Sequence, residues 1–331
     1  MPGSPPRYIP FINTLRAIAS LMVCVYHLIY EPDNFLQNTK IFHLSQAGAL
    51  GVQIFFVITG IVIPISLINS KYEIRLFGRF ILKRAIRIEP PYLLSIALLL
   101  LFFAMNNHFL PKQLTPHPSI VNTLLHLGYL VPFVKGAKWF INVYWTLAVE
   151  FQFYLFISLA FPLIMNKIIK FRLLGYVITF GLAVAFHNND GEFFAKWLPV
   201  FMLGIIYVSW SYKKVISLEF AIIFLTSLIF TYLLHNALLC FISGFTVLMI
   251  HFLKNYQSKI GNFLGNISYS IYLTHSITGL AIVSMLAPYT ISFYSRLLLV
   301  LLGVIVSVVF AYLFYLAIEK PSKKLASKNS L

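Results

Sequence analysis

An all-α membrane bundle of about ten helices is the fold class predicted by three observations. Of 331 residues, 60% are hydrophobic and only 10% are charged, whereas soluble domains hold about 45–50% apolar and about 25% charged residues. The apolar residues fall in runs near the length of about 20 that a helix needs to cross the hydrocarbon core. The 25 Lys and Arg exceed the nine Asp and Glu by a net charge of +16, and they gather between alternate runs, as they do where positive residues set topology. This composition excludes a soluble enzyme, a disulfide scaffold and a disordered chain. Nucleic acid is not an expected partner, because few cations fall on a soluble face; the lipid bilayer is.

The runs place spans at 11–30, 49–69, 91–106, 144–165, 173–187, 197–211, 218–234, 237–253, 267–285 and 296–318. The stretch 218–253 divides in more than one way, so nine or eleven spans also fit. All belong to one integral-membrane domain over 1–331, with no internal repeat and no soluble extension. The first run reads as a retained span, since Arg16 interrupts it and Tyr30-Glu31-Pro32 follows where a signal peptide has small residues. With a cytoplasmic N-terminus, 18 cations fall on the inner side and six on the outer, with Arg16 inside a span. Both termini are therefore expected in the cytoplasm. Abundant Lys, Asn, Ile and Phe point to a bacterial source, hence the inner membrane. Cys24 and Cys240 both sit in apolar runs and read as packing residues, without metal spacing.

Ionisable residues inside spans are the informative ones, because each is costly there unless paired or functional. In the first span Arg16 and His27 are eleven residues apart, which returns them to one helix face about 16 Å apart along the axis. Asn13 and Ser20 fall near the same stripe. A snorkelling Arg with a packed His would account for this pair; a polar path through the bilayer accounts for it better. Next, Arg79, Lys83 and Arg87 recur every four residues, with Arg84 alongside. Positive-inside bias explains such a cluster, and so does a phosphate-binding patch built from Arg forks. The connection 107–143 carries His108, His117 and His126 and four prolines. It reads as a folded external loop or re-entrant segment; a zinc cluster is conceivable there, but the spacings fit no ligand pattern, so these are expected to be exposed loop histidines.

In the fourth span Glu150 enters at a depth matching His27, where a carboxylate would orient an imidazole. The alternative is a Glu satisfied by Thr146 or Tyr154 one turn away. Trp145 and Tyr154 flank it as candidate substrate contacts. His275, about eight residues into the ninth span, is either structural or chemical. Metal is not expected.

These segments, taken in order, resemble the acyltransferase-3 family. The matching stretches are Leu15-Arg-Ala-Ile-Ala with Tyr26-His27, Gly51 to Gly60, Arg84 to Tyr92, Trp145 to Tyr154, Gly265 to His275, and Ile318-Glu-Lys-Pro321. The resemblance implies O-acyl transfer, commonly of acetyl, from cytoplasmic acyl-CoA to a hydroxyl of a surface polysaccharide or lipid-linked glycan. Acetyl-CoA is then a donor substrate, with no permanently bound cofactor. The family's motif His and Arg fall on His27 and Arg16, its basic motif on Arg84 and Arg87, and its Glu on Glu150. Gln53 and Asn13 are amides where many members have Asp, so roles of those carboxylates do not carry over. The chain has no room for the fused esterase-like domain of longer members.

Residues and resemblance meet in one expected mechanism. The CoA nucleotide docks on Arg84, Arg87 and Arg16, and the thioester reaches His27. His27, oriented by Glu150, either deprotonates the acceptor hydroxyl or is transiently acylated. The alternative class is a transporter or permease for a glycan or anionic metabolite. Such carriers often show inverted repeats or paired broken helices, and neither is visible in this sequence.

Overall fold

The computed structural model describes residues 8–33, 35–109, 119–188 and 192–328. Arg7, Lys112, His117 and the side chain of His108 lie outside the described residues. Fifteen α-helices run through the described chain, and no strand occurs among the described residues. They are α1 (Phe11–Tyr30), α2 (Lys40–Ser45), α3 (Gly51–Asn69), α4 (Phe77–Phe109), α5 (Ile120–Leu127), α6 (Tyr144–Ile164), α7 (Ile169–Ala185) and α8 (Phe194–Ser211). There follow α9 (Ser217–Leu234), α10 (Ala237–Leu253), α11 (Lys259–Asn266), α12 (Ser268–Thr274), α13 (Ala281–Leu286), α14 (Phe293–Phe314) and α15 (Lys320–Lys328).

Each predicted span coincides with a helix or helix pair, and the all-α membrane bundle holds. Eight helical stretches among the described residues are long and apolar enough to cross a membrane, against the ten spans expected. Helices α7 and α10, with 17 residues each, fall short of that length. Two boundaries also differ. The basic segment 79–87 is not a connection but the start of α4, which runs on through Pro90 and Pro91 for 33 residues. These prolines have no N–H for the carbonyls one turn back, and Tyr269 Oη donates to the neighbouring carbonyl of Ile88 at 3.0 Å. The ninth span is not one continuous α-helix either. Between α12 and α13 lies a π turn, Ser276–Leu280, in which the Leu280 N–H reaches back to His275 O at 2.9 Å. A second π turn, Tyr315–Glu319, closes α14. Such turns recur where a helix re-aims side chains at a functional site.

Packing follows membrane rules, in which small residues let backbones approach. Where α3 crosses α8, a Cβ on Gly60 would meet the Phe201 carbonyl at 2.2 Å, and one on Gly204 would meet the Gly60 backbone at 2.6 Å. Any side chain at either position would force the two helices apart. Gly265 serves α11 against α1 in the same way, its backbone facing Asn13 O. The apolar core gathers around α3, α6 and α8, with Phe153 and Phe201 stacked 3.9 Å apart. Two satellite clusters lie where α4 meets α6 and α12, and where α1 meets α12 and α14. Between these clusters α1, α3, α4, α6 and α12 bring a few polar side chains, Arg16, Thr59, Arg84, Arg87, Thr146 and Glu150 among them, to a largely apolar lining.

Residues 119–143, before α6, fold around His126, which is buried completely rather than exposed as a loop histidine was expected to be. Its Nδ1–H donates to Asn122 O at 2.8 Å, and its Nε2 accepts from the Phe140 N–H at 3.0 Å. Both ring nitrogens are thereby committed to holding the loop. Burial keeps this imidazole below its ordinary range. Cys24 and Cys240 are both free thiols.

Candidate active site

A cavity with about 900 Å³ of empty space, its mouth included, opens among α1, α3, α4, α6 and α12. Arg16, Arg84, Arg87 and Lys323 line it together with Glu150 and Glu319. Four cations against two carboxylates leave it electropositive; α1 carries Arg16, α4 carries Arg84 and Arg87, and α15 carries Lys323.

Arg16 lies in the second turn of α1, half-buried, and its Nε donates to Ser268 Oγ at 3.2 Å. Arg84 is 6% exposed. Its Nη2 donates to Ser66 Oγ at 2.9 Å, and its guanidinium lies over the rings of Phe80 at 5.1 Å and Tyr154 at 5.8 Å. The Nε of Arg84 is buried without a partner among the described residues, which leaves a charged donor for an anion to satisfy. Arg87, one turn further, joins the lining. Arg79, on the same four-residue spacing, is exposed instead, and Lys83 does not line the cavity. The basic cluster predicted along α4 thus divides into a pair that lines the cavity, Arg84 and Arg87, and a pair that does not, Arg79 and Lys83.

Glu150 accepts from Thr59 Oγ1 at 3.2 Å and from the hydroxyl of Tyr154 one turn below. It is not His27 that it meets. His27 instead places its Nδ1 2.5 Å from Glu31 Oε1, one helical turn toward the end of α1. The carboxylate can only accept, so Nδ1 carries the proton and Nε2 is left as the basic nitrogen. Matched depth, which suggested a His27–Glu150 pair, does not fix which way two side chains point.

His27 and the cavity connect through rings. Tyr272 lines the cavity, and its hydroxyl shares a 2.7 Å hydrogen bond with Thr146 Oγ1. The Tyr272 ring lies 6.2 Å from that of His275, which in turn lies 5.2 Å from that of His27. His275 is completely buried. Its Nδ1–H donates to Ile271 O at 3.0 Å, and its Nε2 has no partner. Trp145 does not line the cavity; it packs against Phe56 and Trp197, at 6.2 and 5.7 Å between ring centres. Ser20 turns back to its own helix, donating to Ala17 O at 3.0 Å. Asn13 donates to Asn262 at 3.3 Å.

Two charged cavity residues, Glu319 and Lys323, had no role expected from the sequence. Glu319 is completely buried, accepting from the Ser270 N–H at 3.1 Å and from Ser270 Oγ at 2.5 Å. Lys323, one turn on, pairs with Glu319 at 2.5 Å. The acidic-basic pair in Ile318-Glu-Lys-Pro321 was the available signal, though it names Lys320 rather than Lys323 as the basic partner. No group of three His, Cys, Asp or Glu suited to a metal ion occurs among the described residues.

The chain is similar to a Staphylococcus aureus (strain COL) protein named "Putative O-acetyltransferase", at 24% identity over 96% of this chain and 58% of the relative. It is 29% identical to a protein of Acidianus two-tailed virus named "Putative acetyltransferase", over 81% of this chain and 83% of that one. O-acetyltransferase OatA of Staphylococcus aureus (strain NCTC 8325 / PS 47) is 27% identical over 56% of this chain and 31% of its own. The chain thus spans little more than half the length of the first of these staphylococcal relatives. No solved structure matches it. The family model described as an acyltransferase domain matches residues 9–316, and the chain accordingly belongs to the acyltransferase-3 family.

Proposed function

We propose that this chain is an integral-membrane O-acetyltransferase that moves an acetyl group from acetyl-CoA to a hydroxyl of a surface polysaccharide or lipid-linked glycan. The electropositive cavity carries this reading. Arg16, Arg84, Arg87 and Lys323 line one enclosed space, which suits the phosphates of a CoA nucleotide. The basic end of the bundle faces the cytoplasm, where acyl-CoA is available, and both termini lie there. His27, eleven residues along α1 from Arg16, stands toward the opposite membrane face.

Chemistry at His27 then follows from its geometry. Nε2 takes the proton of the acceptor hydroxyl as its oxygen attacks the thioester carbonyl. The tetrahedral intermediate collapses, the C–S bond breaks, and the imidazolium returns the proton to the departing thiolate. Tyr272 and Thr146, between the cavity and the His27–His275 pair, line the way for the pantetheine arm. Glu150 with Tyr154 shapes the cavity wall beneath Arg84.

The test is acetyl transfer by protein reconstituted in vesicles, supplied with labelled acetyl-CoA on the basic side and cell-surface glycan on the other. Label is expected on the glycan, with one CoA thiol released per acetyl moved, and neither is expected with His27→Ala. Glycan crossing the vesicle without thiol release would replace the transferase reading by the permease one.

A further inference from the structure

Glu31 lies outside the stretches that match the family motifs, yet it is the group that holds His27. It occupies the C-cap of α1, where its backbone N–H bonds His27 O at 3.2 Å. Four residues of helix put both side chains on one face, a turn apart, and Glu31 Oε1 meets His27 Nδ1 at 2.5 Å. The side chain of Glu31 is 32% exposed and that of His27 is 9% exposed. The carboxylate is therefore partly exposed at the end of the helix, while the imidazole it holds is nearly buried. Electrostatics favour the same arrangement, because His27 lies in the last turn of α1, where the negative end of the helix dipole favours the positive charge the ring carries during proton transfer.

The ring is held from other sides as well. Tyr26 packs against it edge-on at 4.9 Å, and His275 lies 5.2 Å away with its Nδ1 committed to Ile271. The remaining charged and titratable groups near this end of α1 are engaged or turned outward. Tyr30 stacks on Tyr26 and Phe42, Arg296 donates to the carbonyls of Phe35 and Thr290, and Lys40 and His43 are exposed on α2. Asp33, just beyond the helix end, is exposed, and among the described residues the carboxylate paired with His27 is that of Glu31.

We propose that Glu31 is the positioning residue for His27: its carboxylate fixes the proton on Nδ1, aims Nε2 at the acceptor hydroxyl, and steadies the imidazolium formed when Nε2 takes that proton. The assignment rests on the transferase reading for its consequence, but not for its geometry. It gives Glu31 the part that matched depth had suggested for Glu150.

Two measurements on the full chain decide it. In acetyl transfer, Glu31→Ala is expected to lower kcat by about 10–100-fold, the scale on which a carboxylate that orients a histidine from its outer shell acts. KM for acetyl-CoA should stay as in the wild type, and Glu31→Asp should recover part of the loss. In nanodiscs containing 15N-histidine-labelled protein, the His27 resonance, identified by its loss in His27→Ala, should report a neutral ring protonated on Nδ1. Glu31→Ala should shift it toward the Nε2-protonated form. A kcat within twofold of wild type, or a wild-type His27 protonated on Nε2, would overturn the proposal while leaving the transferase reading intact. Absence of transfer by wild type would instead remove that reading, and the tautomer measurement would still decide whether Glu31 holds His27.

Discussion

The two ends of the polar path are built on opposite principles. Around Arg84 charge is dense and cross-linked: four cations and two carboxylates line the cavity, and Ser66, Ser268 and Ser270 hydrogen-bond Arg84, Arg16 and Glu319. Around His27 it is sparse: one carboxylate at the helix end, two imidazoles, and a buried His275 Nε2 with no partner. A dense array holds an anionic ligand in place and loses only part of its grip when one member is removed. A sparse one depends on each group, because no neighbour can take over its proton. The difference separates residues that bind from a residue that reacts.

Removing the base should have the largest effect. His27→Ala is expected to lower kcat by about 10³-fold, within the range for losing a general base, with KM for acetyl-CoA unchanged; steady-state kinetics on reconstituted protein check both. At the dense end the expected pattern is reversed. Arg84→Ala should raise KM about 10–100-fold, the scale of a lost charge-assisted hydrogen bond, with a smaller change in kcat. Arg84→Lys should restore only part of it, since an ammonium cannot reproduce the fork that reaches Ser66 and the cavity together. An equal fall in kcat for both substitutions would break the comparison.

A milder change sharpens it. Tyr154→Phe leaves Glu150 with Thr59 as its hydrogen-bond partner, and kcat/KM should fall about tenfold, the worth of one hydrogen bond to a charged group. Smallest is an effect away from both ends. His126 is kept neutral by burial, so its contribution to stability is present above the ordinary imidazole value near 6.5 and is lost as pH falls below it. Hydrogen exchange at the Phe140 amide, corrected for intrinsic rate, should quicken about fivefold at pH 5, the worth of one backbone hydrogen bond. The His126→Phe variant should not show this pH dependence.

The fold was largely legible because a bilayer leaves few options: apolar runs of sufficient length must be helices. Hydropathy could not distinguish α7 and α10 from the longer spans, since helix length depends on where the chain turns. Nor could it see that the basic segment continues into α4 through Pro90 and Pro91, a pair that normally argues for a break. At the site, helical periodicity put Arg16 and His27 on one face, and the structure places Arg16 in the cavity wall. Pairing was less legible. The hydrogen-bond partner of Glu150 was foreseeable as Tyr154 one turn away, whereas Glu31 looked like the residue after a span rather than part of a site. Lys323 was hidden similarly, because its link to the cavity runs through Glu319, whose burial depends on α12 packing against the end of α14.

One comparison reaches the division of labour directly: equilibrium binding of acetyl-CoA and single-turnover acetyl transfer, measured on the same preparations of wild type, His27→Ala and Arg84→Ala. If the dense end binds and the sparse end reacts, His27→Ala binds acetyl-CoA as wild type does and transfers nothing, while Arg84→Ala binds weakly and still transfers once saturated. Weakened binding in His27→Ala with transfer retained at saturation would contradict the account.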